Sequence, residues 1–481
     1  MNNRTVLTNL MWRFAERCGA QLVAFIVSII LARILDPNAY GTVALITVFT
    51  SILQVFVDSG LGNALIQKKD SDNKDFSTVF WANLLFCCLL YVLLCLISPL
   101  IANFYGNSSI TLYMRVLGLT VLISGLKNVQ QAFVSKNMLF KKFFFSTIGG
   151  TVTAGIAGVT MAYMGYGVWA LIAQQIINLA IDTTILWLTI KWRPKLFFSL
   201  ERLKKLLSYG WKLLVSSLME NIYTNIRQLV IGKIYSSADL AQYNRGRQFP
   251  NLIVTNINAS IDSVLLPSMS KEQDDKTRIR SMTSRSIKIS TYIMAPLMMG
   301  MVFVAEPLVR LVLTEKWLPC ITFLRIFCIT FMFYPIHTAN LNAIKAIGRS
   351  DLFLKLEILK KIVGMVALVS TMWISVEAMA YSLLITSILS QLINSWPNKR
   401  LLHYGYLQQL KDIIPSIALS IGMGCCIYPV LWIGYSDIVT LIIQIVLGIT
   451  LYIGGSLVFK LESFQYLFKI MKSYIFKKRV N

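Results

Sequence analysis

Acidic residues and histidine are scarce in this chain. Only 14% of its 481 residues are charged, 22 of them Asp or Glu, and there are two His. So thin a supply offers no clustered carboxylate and imidazole set for a metal. The eight Cys include no CxxC pair and fall mostly inside apolar runs, which argues against a disulfide framework. No G-x-x-x-x-G-K-[ST] phosphate loop is present, so the chain is not expected to hydrolyse ATP. No arrangement reads as an acid/base pair or an activated nucleophile. External loops stay below about fifteen residues, which leaves no room for a soluble domain. No cofactor is expected. The start, Met1 to Asn9, is short and polar, unlike a cleavable signal, so the first apolar run is expected to remain as a membrane helix.

What is abundant is apolar surface and positive charge. Hydrophobic residues make up 56% of the chain, mean hydropathy is +0.63 and the formal net charge is +24. Such basicity often marks a nucleic-acid binder. Here Lys and Arg sit between apolar runs of spanning length, so the positive-inside rule explains them and no nucleic-acid partner is expected. Fourteen runs reach the length that a bilayer needs: about 10–35, 40–59, 77–103, 109–130, 143–163, 167–190, 207–233, 239–266, 287–307, 320–344, 352–373, 376–396, 411–432 and 437–459. Alternate connections are basic, among them Lys68, Lys69 and Lys74, then Lys136, Lys141 and Lys142, then the Lys191–Lys205 segment and Lys271–Arg280. The opposite loops, Asn103–Ser109 and Ala162–Gly167, are nearly uncharged. The phase places both termini in the cytoplasm of a multi-pass protein of the cytoplasmic membrane. The tail carries Phe464, Leu467, Phe468, Met471 and Ile475 on one helical face beside Lys469, Lys472, Lys477, Lys478 and Arg479, the pattern of a helix lying along the inner membrane surface.

The chain repeats itself. Leu31-Ala32-Arg33-Ile34 parallels Ile231-Gly232-Lys233-Ile234, and Tyr40 parallels Tyr243. Thr47, Ser51, Gln54 and Asp58 correspond to Asn251, Thr255, Asn258 and Asp262 at a constant spacing of 204 residues. Arg115 and Thr120 correspond to Arg325 and Thr330. The repeat unit is six spans, an even number, so both copies share one orientation, as in parallel-repeat transporters. The expected fold is therefore all-α and polytopic: an N-terminal bundle over 1–200, a second over 201–400, and a 401–481 region of two further spans and the basic tail.

Polar stripes show which faces avoid lipid. Thr47, Ser51, Gln54 and Asp58 share one helix face, as do Arg247, Asn251, Thr255, Asn258 and Asp262. Glu220, Thr224, Arg227 and Gln228 share another. Such faces line a protein interface or a watery cavity, because hydrocarbon cannot satisfy them. A cleft between two bundles follows as the expectation, with Thr47, Ser51, Gln54, Asn251, Thr255 and Asn258 as lining. Arg227 lies deep in its span and is either a substrate contact or one half of an ion pair with Glu220. Arg247 heads its stripe and is preferred to Arg245. Arg13, Glu16 and Arg17 share a face near the inner end of the first span and either line the cleft mouth or reach to the interface. Glu16, Asp58 and Asp262 are the gating or coupling candidates. His337 reads as a hydrogen-bonded helix residue.

The segments LARILDPNAYG, VDSGLGNALIQKKD and STVFWANLL resemble bacterial polysaccharide flippases of the multidrug/oligosaccharidyl-lipid/polysaccharide exporter superfamily, nearest the colanic acid and teichuronic acid exporters. FYGNSSITLYMRVLGL, QQAFVSKNMLFKK, GYGVWALIAQQ, NIRQLVIGK, AQYNRGRQFPNLI and EKWLPCITFLRI extend the likeness through the tenth span. The resemblance implies two six-helix bundles set as a V, alternating access, and a substrate that is an undecaprenyl-pyrophosphate-linked oligosaccharide carried to the outer leaflet. It also implies membrane lipids, a polysaccharide polymerase and chain-length machinery as partners, with H+, Na+ or membrane potential as the driving force. Arg and amide groups suit a pyrophosphate head and sugar hydroxyls. The competing readings are a cation-coupled drug antiporter of the same superfamily, which calls for an acidic lumen, and a membrane polymerase or glycosyltransferase, which calls for a large external loop.

Overall fold

The computed structural model describes residues 3–58, 61–68 and 70–477. Lys69, Lys478 and Arg479 of the basic segments, and the side chains of Met471 and Ile475 on the tail, lie outside the described residues. The chain divides into two compact units, Met1–Ala241 and Gln242–Asn481. All regular structure among the described residues is helical.

The first unit holds α1 (Asn3–Ile34), α2 (Pro37–Asp58), α3 (Leu61–Gln67), α4 (Asn73–Tyr105), α5 (Ser109–Lys136), α6 (Phe140–Tyr163), α7 (Val168–Thr189) and α8 (Leu200–Ile234). Helix α9 (Ser237–Ser270) begins in this unit and continues into the second. The second unit follows with α10 (Lys276–Phe303), α11 (Ala305–Leu313), α12 (Cys320–Met332), α13 (Tyr334–Ala346), α14 (Ser350–Thr371), α15 (Val376–Leu401), α16 (Tyr406–Ile427), α17 (Asp437–Val458) and α18 (Glu462–Lys477).

Twelve helical segments among the described residues are long and apolar enough to cross a membrane. They coincide with twelve of the fourteen runs in the sequence. The other two runs are α8 and α14, of 35 and 22 residues, long enough to span but laden with Lys and Glu. The tenth run breaks between α12 and α13 at Phe333, just before Pro335, which has no N–H for the ladder. Two short helices, α3 and α11, occupy stretches that hydropathy reads as connections.

The turn between α1 and α2 forms as Asp36-Pro37-Asn38 dictates: the Asp36 carboxylate accepts from the backbone N–H of Asn38 at 2.8 Å. Gly41 then lets α2 approach the start of α9. A Cβ there would sit 1.6 Å from the Ser237 carbonyl oxygen, so no other residue fits. Helix α4 opens with a capping box. The Asp72 carboxylate accepts from Asp75 N at 2.8 Å, and the Asp75 carboxylate accepts from Asp72 N at 3.2 Å. Asp75 is fully buried and also binds Lys68 at 2.5 Å and Arg202 at 2.9 Å, so one carboxylate ties the α3–α4 connection to the start of α8.

The second unit centres on Met269, Ile279, Ile287, Ile336 and Ile413, contributed by α9, α10, α13 and α16. The tail helix α18 differs from the membrane-surface expectation in one respect. Phe464 and Leu467 turn inward and pack on Tyr292, Met423 and Tyr452, and Glu462 pairs with Lys288 at 2.7 Å.

Replacing Asp75 by Asn is expected to destabilise the detergent-solubilised protein by about 1–3 kcal/mol, read as a lower thermal midpoint, the half-exposed partners moderating the loss. Burial raises the Asp72 carboxyl, but the Asp75 N–H and the Arg202 guanidinium together outweigh it and hold that carboxyl below its ordinary value. A lowered folded-state value contributes stability above the ordinary carboxylate range and loses it as pH falls. The midpoint gap between wild type and Asp72→Asn should therefore close below about pH 4.

Candidate functional site

The first unit contains a cavity of about 390 Å³ between α2, α7 and α8. Helix α2 supplies Tyr40, Thr47 and Ser51 with Val43, Ala44 and Val48 between them. Helix α7 supplies Leu171, Gln174 and Gln175, and α8 supplies Asn225 and Gln228. Every polar group on this wall is a neutral amide or hydroxyl.

The helices arrive there for local reasons. Thr47 and Ser51 are one turn apart on α2. Each is tolerated in a helix because its hydroxyl donates back to the ladder, Thr47 to Val43 O at 2.7 Å and Ser51 to Val48 O at 2.8 Å. Ser51 Oγ lies 3.3 Å from Asn221 Oδ1, joining α2 to α8. On α8 the amides form a chain: Gln228 Nε2 donates to Asn225 Oδ1 at 2.8 Å, and Asn225 Nδ2 donates to Asn221 O at 3.0 Å.

The remaining sequence candidates distribute as follows. Gln54 leaves the cavity wall and donates to Asp58 at 3.0 Å. Asp58 also accepts from Asn128 Nδ2 at 3.1 Å, so it fastens the end of α2 to α5. In the second unit Asp262 accepts from Asn342 Nδ2 at 2.9 Å, fastening α9 to α13 in the same manner. Arg227 is buried on α8, beside but not among the cavity residues. Glu220 is exposed and accepts from Thr224. Arg13 binds Glu16 at 2.6 Å and lies over the Phe140 and Phe143 rings, while Thr147 donates to Glu16 at 3.3 Å; this group joins α1 to α6. Arg17 is exposed. Arg247, Asn251 and Asn258 are half-buried on α9 and Thr255 is exposed. Asn258 Oδ1 is buried with no hydrogen-bond partner among the described residues. Arg245 is more buried than Arg247 and packs over Trp317, 5.1 Å from its ring centre, with Gln248 at 2.6 Å. His337 sits 3.2 Å from Asn394 and 3.4 Å from Ser387, a hydrogen-bonded helix residue.

Sequence reasoning passed over Tyr40, Gln174, Gln175, Asn221 and Asn225 as lining or support. A signal was there: Gln174, Asn178 and Asp182 recur every four residues in the mostly apolar α7. It also missed an ion pair inside the first unit. Lys127 Nζ on α5 meets Asp182 Oδ2 on α7 at 2.5 Å, the two side chains being 13% and 9% exposed.

The family profile described as polysaccharide biosynthesis protein matches residues 30–322. The chain belongs to this polysaccharide biosynthesis protein family. It is 28% identical over 309 residues to the teichuronic acid biosynthesis protein TuaB of Bacillus subtilis (strain 168), which covers 63% of each chain. It is 25% identical over 318 residues to the succinoglycan biosynthesis transport protein ExoT of Rhizobium meliloti (strain 1021), 66% of this chain and 64% of that one. It is 24% identical over 347 residues to the lipopolysaccharide biosynthesis protein WzxC of Escherichia coli (strain K12), 71% and 70%. The chain thus spans just under two thirds of the length of the first two relatives. Among solved structures, lipid II flippase MurJ in an inward closed conformation superposes with a TM-score of 0.76 at 16% identity, over 93% of this chain and 98% of that one. An inward-facing multidrug resistance MATE family transporter of the MOP superfamily gives 0.63 at 15% identity, over 79% and 94%. These likenesses establish the all-α, two-bundle membrane fold of this family member.

Removing one half of the buried α5–α7 pair leaves an uncompensated charge. Lys127→Met is expected to cost about 3 kcal/mol of stability, and Lys127→Met combined with Asp182→Leu to recover most of it. Thermal unfolding of the three proteins in one detergent checks this; a double variant no better than the single would refute it.

Proposed function

We propose that this protein is a flippase. It moves undecaprenyl-pyrophosphate-linked oligosaccharide repeat units across the cytoplasmic membrane by alternating access, for surface polysaccharide biosynthesis. The observation that carries the reading is the α2–α7–α8 cavity: a wall of amides and hydroxyls within helices of spanning length, as a polyhydroxyl cargo requires. The names of the relatives, in teichuronic acid, succinoglycan and lipopolysaccharide biosynthesis, point the same way.

In this reading the two homologous segments, 1–200 and 201–400, act as the alternating parts, with residues 401–481 beside them and both termini in the cytoplasm. Thr47 and Ser51 contact sugar. Arg227 and Arg247, with Arg13 and Arg17 nearer the inner face, receive the pyrophosphate, since guanidinium forks match phosphate oxygens. Asn251, Thr255 and Asn258 offer the second copy's equivalent wall, and Glu220 keeps Arg227 in place. Gln54 positions Asp58, and Asp58, Asp262 and Glu16 hold helix ends whose release accompanies opening. The protein makes and breaks no covalent bond, so it works as a transporter, driven by H+, Na+ or membrane potential and served by a polymerase and chain-length machinery downstream.

Arg227→Ala should abolish polymer export while the protein remains in the membrane at wild-type level, with Arg227→Lys restoring part of the yield. Normal polymer from a well-expressed Arg227→Ala strain would remove Arg227 from the site. For the activity itself, depletion of the protein should leave lipid-linked repeat units on the inner leaflet. Their accumulation on the outer leaflet would rule out flipping.

A further inference from the structure

The cavity wall carries a selectivity that follows from which hydrogen-bonding groups are still open. Its hydroxyl protons are already committed. Tyr40 donates to Ser28 O at 3.5 Å, and Thr47 and Ser51 donate to their own helix. What these oxygens offer the cavity is lone pairs, so on the α2 side the wall accepts. Gln174 and Gln175 face them from α7. Both are half-buried, and their side-chain amides hold no protein partner among the described residues. Each presents two N–H donors and one carbonyl acceptor. The wall includes no Lys, Arg, Asp or Glu.

A neutral sugar matches this set. Every hydroxyl on a pyranose both donates and accepts, so it can give a proton to the α2 oxygens and take one from the α7 amides. A carboxylate only accepts. Against α2 it would meet lone pairs, and no cation on the wall would repay its lost hydration. The cavity volume of about 390 Å³ lies at the small end of small-molecule sites and holds about two sugar rings, less than a long repeat unit.

We infer that the α2–α7–α8 cavity is a subsite for one or two uncharged sugar residues, that Gln174 and Gln175 are its recognition donors, and that it rejects a uronate at this position. The inference rests on the oligosaccharide reading of the protein. It adds which part of such a cargo this unit takes.

Binding decides it apart from transport. Purified protein in detergent is titrated by calorimetry with a soluble neutral trisaccharide of hexoses, and with the same trisaccharide oxidised at C6 of one ring to a uronate. The neutral probe should bind at least about tenfold more tightly than the uronate, a difference of about 1.4 kcal/mol. Gln174→Leu and Gln175→Leu should each weaken the neutral probe several-fold at an unchanged thermal midpoint. Gln175→Arg should narrow or reverse the preference by supplying the missing cation, an outcome that misfolding cannot imitate. Equal binding of the two probes, binding of neither, or indifference to all three variants would overturn the proposal. Translocation of the matching lipid-linked sugars in proteoliposomes is scored separately. Selective binding without translocation would leave the subsite standing and remove the flippase reading.

Discussion

No water is available inside a bilayer to satisfy a polar group, and that constraint organises the interior of both units. Each deep polar side chain has to find its partner within the protein. Asn340, Gln409 and Asn398 solve it with amides alone: Asn340 and Gln409 exchange two hydrogen bonds of 2.9 Å, and Asn398 adds a third at 2.7 Å. They join α13, α15 and α16 where an isolated amide would cost several kcal/mol. Lys127 and Asp182 solve the same problem with charge. At the cavity α7 leaves two half-buried glutamines without protein partners among the described residues, so their amides stay open to whatever fills it.

The internal repeat gains a physical meaning from its hydrogen bonds. Asp58 and Asp262 correspond in sequence, and each accepts from an asparagine two apolar runs further along its own unit, Asn128 and Asn342. Arg115 and Arg325 also correspond. Arg115 reaches Ser98 and the Cys95 carbonyl on α4, and Arg325 reaches the Val302 carbonyl on α10. Matched residues making matched contacts in both units are what a duplicated bundle would retain, independently of the letters around them.

Much of this was legible in the sequence, and the parts that were not share a cause. Apolar runs of spanning length, the basic connections and the α2 stripe are one-dimensional patterns, and they locate helices and faces directly. Partners are two-dimensional. Nothing in the run containing Arg13 and Glu16 says that they close on one another over Phe140 and Phe143. The stripe Gln174, Asn178, Asp182 was diluted by Leu, Ile and Ala on either side, and nothing in the sequence sets Lys127 opposite Asp182. Charge draws attention in a hydrophobic sequence, so the arginines ranked first as site residues. The structure brings together uncharged groups whose value depends on which of their protons are already spent.

The closed ion pairs of the first unit have an electrical consequence. A transmembrane voltage acts on displaced net charge, with about 2.3 kcal/mol available per elementary charge per 100 mV. Arg13 with Glu16, and Lys127 with Asp182, carry no net charge as pairs. When the helices that hold them shift, they move as small dipoles, and the field has little to pull on. As long as the pairs stay shut, these four residues carry no net charge through the field when their helices move.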